Sequence, residues 1–132
     1  MDKKKLLEDI YNSFSCVIEN KNILGILLYG SYIKNVETSK SDIDICIVAP
    51  SENKVKLLAF ILDKINVVSK KFDIRFFSEL PLYIKIQVIE EGQLIYSLDE
   101  FDLYEYFYFY RKLWADQKHR QVISKEEILS MF

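Results

Sequence analysis

The chain has 132 residues, 50% of them hydrophobic and 29% charged, with 18 basic side chains against 20 acidic ones. Apolar content at that level builds a core and excludes a disordered chain, while a net charge of -2 supplies no electrostatic drive for binding nucleic acid. No apolar run approaches the roughly 20 residues of a membrane span, and Glu8 and Asp9 fall where a secretory leader would stay apolar. The expectation is one cytoplasmic domain over residues 1–132, with neither a membrane nor a nucleic acid among its partners. Cys16 and Cys46 lie far apart, with no CxxC pair or clustered histidines, and read as reduced, buried thiols.

In chain order, Leu6, Leu7, Ile10, Phe14, Val17 and Ile18 recur at three- and four-residue steps and predict an amphipathic helix from Asp2 to near Asn20. The aliphatic run 23–29 is too short for a helix and predicts a buried strand ending at Gly30-Ser31. Residues 32–41 are mostly polar and read as a helical turn and a loop, and 42–48 as a second strand stopped by Pro50. Val55, Leu58, Ala59, Leu62, Ile65 and Val68 predict a helix over 52–69, followed by a third strand over 72–77. Ser78 is placed to cap the next helix, Pro81 to sit in its first turn, and Gly92 to close it in a left-handed conformation after Glu91. A fourth strand over 93–97 and a long helix from Asp99 or Glu100 to about Arg120 follow. Ser124 and Glu127 form a capping box for a short tail helix. No linker or repeat divides the chain, so the fold class is α+β, a small mixed β-sheet with helices packed on it.

The chemistry concentrates in Gly30-Ser31, ten further residues, and Asp42-Ile43-Asp44. Strand alternation sends Asp42 and Asp44 to one face and Ile43 and Ile45 to the other. Two carboxylates on one face repel unless cations neutralise them, and an all-oxygen hard donor set suits Mg²⁺ and the phosphates it binds. Asp73, an acid between apolar neighbours in the third strand, would complete a three-carboxylate cluster if that strand pairs beside the second. Such a cluster can hold two metals about 3.5 to 4 Å apart for in-line phosphoryl displacement. Gly30 allows close backbone approach to a phosphate, and Ser31 offers its hydroxyl and its N–H.

The stretch GSYIKNVETSKSDIDICIV resembles the signature of the DNA polymerase beta-like nucleotidyltransferase superfamily. With the third acid in KFDIRFF and the later EEGQLIYSLDEFDLYEYF segment, it is similar to the minimal nucleotidyltransferases (MNT) over residues 23 to about 110. The resemblance implies Asp42 and Asp44 as metal ligands, Asp73 as the third carboxylate on the acceptor side, and Gly30-Ser31 as the triphosphate-binding turn. Many MNT proteins carry an arginine shortly after the GS pair, where this chain has Tyr32, Ile33 and Lys34. Lys34 keeps a point charge without bidentate phosphate recognition. Arg75, on the strand face of Asp73, either neutralises charge at the site or pairs with that acid.

The resemblance further implies Mg²⁺-dependent transfer of AMP from ATP, with two ions, onto a tyrosine of a cognate HEPN toxin, the chain acting as antitoxin. A small-molecule, antibiotic-type nucleotidyltransferase and an antitoxin that works by binding alone stand as alternatives. Asp9, Asp63, Glu79, Glu90, Glu91 and His119 read as solvated charge without chemistry. The segment FDLYEYFYFYRKLW is aromatic on nearly every helical face. It is expected either to fill a groove of its own domain or to meet a partner or a second copy of the chain.

Overall fold

The computed structural model describes residues 3–30 and 42–130, with side chains as far as His119. Among the described residues, four strands form one mixed sheet in the order β3-β2-β1-β4. Strand β1 (Gly25–Tyr29) runs antiparallel to β2 (Ile43–Val48) and to β4 (Gln93–Ser97), while β3 (Phe72–Phe76) lies parallel to β2. Period-two alternation along these strands divides the apolar side chains between two covered faces.

One face carries Ile26 and Leu28 of β1 and Ile43, Ile45 and Ile47 of β2. Helices α1 (Lys3–Ser13), α2 (Ser15–Asn20) and α3 (Lys54–Lys64) cover it through Leu6, Ile10, Phe14, Val17, Leu57 and Ile61. The other face presents Leu27, Cys46 and Val48 to Val88 of α5 (Leu82–Glu91) and to Leu103 and Phe107 of α6 (Glu100–Ser130). That second face also carries the acids.

Several boundaries differ from the periodic reading, each for a local reason. The first helix breaks at Phe14, where the Ser13 hydroxyl bonds the Asp9 carbonyl at 2.8 Å and the Ser15 hydroxyl bonds that of Asn12 at 3.0 Å. Such bonds compete with the helical ladder, and the break leaves the Phe14 ring fully buried. The second long helix also splits in two. The Asn66 side chain accepts from Ser69 N–H at 3.1 Å and starts the single turn α4 (Val67–Lys70), which ends on Lys71 at φ 60°.

Ser78 lies in a 3-10 turn (Phe77–Glu79) and caps nothing; Pro81 precedes α5 as its N-cap residue. Gly92 is extended, at φ -64° and ψ 144°, not left-handed. Its lack of a side chain answers crowding instead, since a Cβ would meet the Val88 carbonyl oxygen and come within 3.2 Å of Leu27 Cδ2. Helix α6 runs unbroken through Ser124 to Ser130, so the capping box starts no separate helix. Both cysteines are free, Cys46 fully buried and Cys16 half-buried rather than buried. The turn and loop expected over 32–41 lie outside the described residues.

Candidate active site

The end of β1, the start of β2 and the start of β3 meet at one corner of the sheet. Across the antiparallel pair Tyr29 stands opposite Asp44, and across the parallel pair Asp44 stands opposite Asp73. Parallel pairing without stagger makes same-face side chains direct neighbours, so the Asp73 carboxyl lies close enough to raise the cost of ionising Asp44. Asp42 precedes β2, exposed, and by alternation belongs to the same face. Gly30 leaves β1 at φ +79°, and a Cβ there would fall on a carboxylate oxygen of Asp44. Only glycine lets the chain turn this closely over the acid.

Charge at this corner is unbalanced. Burial, then the neighbouring Asp73, then Asp42, push the Asp44 carboxyl up to about 6, against a smaller opposing pull from Arg75. The Arg75 Nε lies 3.2 Å from Asp73 Oδ1, on a side chain 59% exposed. Tyr29 is half-buried beside them, its hydroxyl driven far up by burial and by Cys46, Asp44 and Asp73, so it keeps its proton. Sequence reasoning missed Tyr29; the signal was its place two residues after Leu27, on the same strand face as the acids. The Cys46 thiol, under the site, is pushed up by burial and stays a neutral packing group.

Helix α6 is fixed to this face by aromatic contacts. The Phe77 ring sits 5.1 Å from Phe107 and 5.2 Å from Tyr110, and the Tyr106 and Tyr110 hydroxyls are 3.3 Å apart. The Lys85 ammonium lies 5.2 Å over Tyr110 while donating to the Leu80 carbonyl at 2.8 Å. The opposite side of α6 leaves Phe101, Tyr104 and Tyr108 exposed. The segment thus does both things its composition allowed, one stripe inside and one outside.

Of the expected site residues, Gly30, Asp42, Asp44 and Asp73 come together; Ser31 and Lys34 lie outside the described residues. Asp9, Asp63, Glu79, Glu90, Glu91 and His119 are exposed. Among the described residues no three His, Cys, Asp or Glu side chains form a ready-made metal cage. The donors nonetheless fit Mg²⁺, which binds through one or two carboxylates, waters and substrate phosphates, and Asp44 held at about 6 marks where a cation is wanted.

A mixed sheet with paired acids at the strand ends defines a class, and comparison with known proteins gives the same one. Residues 13–101 match the polymerase beta nucleotidyltransferase family, and the chain belongs to it as a nucleotidyltransferase enzyme. It is 45% identical over 98 residues to a Methanocaldococcus jannaschii protein named "Putative protein adenylyltransferase", a match covering 74% of this chain and 75% of that one. Its fold is that of the MNT proteins. A solved toxin–antitoxin structure with AMP-PNP aligns at TM-score 0.64 and 19% identity, over 92% of this chain and 98% of the other. A chain from the complex of tri-AMPylated Shewanella oneidensis HEPN toxin with MNT antitoxin aligns at 0.63 and 16%, over 96% and 99%.

Proposed function

We propose that this protein transfers AMP from ATP to a tyrosine hydroxyl of a cognate HEPN toxin, with Mg²⁺, and so acts as its antitoxin in the cytoplasm. The observation that carries the reading is Asp73 in register beside Asp44, with Gly30 folded onto Asp44. The tyrosine oxygen attacks the α-phosphorus, the bond to the β-phosphate oxygen breaks, and pyrophosphate leaves with that electron pair. Asp73, on the acceptor side, takes the phenolic proton. Asp42 and Asp44, with Asp73 as a third ligand, would hold the cations and through them the triphosphate, while Gly30 and Ser31 would cradle phosphate oxygens and Lys34 would add a point charge. Two Mg²⁺ ions would neutralise the triphosphate and the developing charge.

Support for the nucleotide and the acceptor comes from the relatives: one is named an adenylyltransferase, and others were solved with AMP-PNP or with an AMPylated HEPN toxin. In this reading residues of about 20–97 carry the chemistry and 99–132 the protein contact, with exposed Phe101, Tyr104 and Tyr108 facing the toxin or a second copy. That exposed stripe also favours a second reading, an antitoxin that works by contact alone. Co-expression with the toxin separates the two. Wild type restores growth and Asp42→Asn does not if transfer neutralises the toxin; protection by the variant at equal expression would make the contact sufficient.

A further inference from the structure

We infer that Arg75 is a phosphate ligand held in reserve, paired with Asp73 until substrate loads and then turned to the transferring phosphoryl group. The inference rests on the nucleotidyl-transfer reading and names one more residue for that reaction. Asp73 and Arg75 lie two apart in β3, so both project from the face that carries Asp44. Opposite Arg75 in the parallel register is Cys46, fully buried and neutral, so its cross-strand neighbour gives the guanidinium no counter-charge. The side chain reaches back along its own strand instead, and Nε meets Asp73 Oδ1 at 3.2 Å.

That contact is built to exchange. It uses Nε, and with the two side chains 59% and 34% exposed it is a screened surface pair that adds little stability. The terminal nitrogens suit two oxygens of one phosphoryl group, a geometry a lysine cannot reproduce. A cation held by Asp73 would take over its charge, and the reason for the pair would disappear. The guanidinium, released beside Asp73, would then be placed to meet a phosphate held at the same corner, where an added positive charge counts most in the transition state.

The test measures two affinities on the full-length chain, wild type against Arg75→Gln and Arg75→Lys, with circular dichroism confirming that each folds. Mn²⁺ alone, followed by its paramagnetic resonance, should bind Arg75→Gln about threefold or more tightly than wild type, because a competing charge is gone. A non-hydrolysable ATP analogue with Mn²⁺ should bind Arg75→Gln about tenfold more weakly, and Arg75→Lys should recover part of that loss. Tighter Mn²⁺ with unchanged analogue affinity would make Arg75 a mere counter-ion and overturn the inference. Loss of both affinities would make it a support for Asp73 and overturn it equally. Wild type that binds neither probe would instead remove the nucleotidyl-transfer reading beneath it.

Discussion

Asp44 carries a cost in the fold that the proposed chemistry explains. In the folded chain it keeps its proton up to about 6, whereas the unfolded chain releases it near 3.8. The folded state binds more protons between those values, so stability falls as pH rises through that window and stays lower above it. Taken whole, the shift is worth about 3 kcal/mol. Asp44 is only half-buried, and solvent screening reduces the figure to about 1 kcal/mol. Metal-free Asp44→Asn is therefore expected to be about 1 kcal/mol more stable than wild type near pH 7.5, the gap closing by about pH 3.5. Urea melts at the two pH values check this, and a less stable variant at the higher pH would contradict it. The Asp42-x-Asp44 alternation was legible in the sequence, since period two settles which acids share a face. That Asp73 would stand level with Asp44, and that Tyr29 would join them, depended on strand order and register, which pairing between distant segments decides.

Helix α6 shows what composition leaves open at the scale of an element. Leu103 and Phe107 are 1% and 3% exposed, while Phe101, Tyr104 and Tyr108 are all more than half exposed. Phe107→Ala should cost about 3 to 5 kcal/mol in denaturant unfolding, through the cavity left against Phe77. Phe101→Ser, Tyr104→Ser and Tyr108→Ser should each stay within about 0.5 kcal/mol of wild type yet weaken binding to the proposed HEPN toxin in calorimetry. Unchanged toxin affinity in all three would take the partner off this stripe. An apolar pattern on every helical face predicts the helix but cannot divide it into an inner and an outer side. The breaks at Phe14 and Ile65 escaped periodicity for a related reason. Both side chains are buried and in phase, and the polar neighbours Ser13, Ser15 and Asn66 make the breaks.

In the whole molecule the two faces of one sheet have separate tasks. The face under α1, α2 and α3 is apolar from β1 through β3. The face under α5 and α6 is apolar only beyond the acids, which hold the corner where β1, β2 and β3 meet. The fold class followed from the alternation of helical and strand patterns, and the four strands fall where short aliphatic runs placed them. Strand order was not legible, because a parallel β2-β3 pair and an antiparallel β1-β4 pair leave no local trace. The central claim is that this corner moves AMP onto a protein tyrosine. The measurement that bears on it most directly incubates the purified protein with the proposed HEPN toxin, Mg²⁺ and ATP labelled at the α-phosphate, then maps the label by peptide. Label on a toxin tyrosine, dependent on Mg²⁺ and absent with Asp44→Asn, is the predicted result; a tight complex with unlabelled toxin would contradict the account.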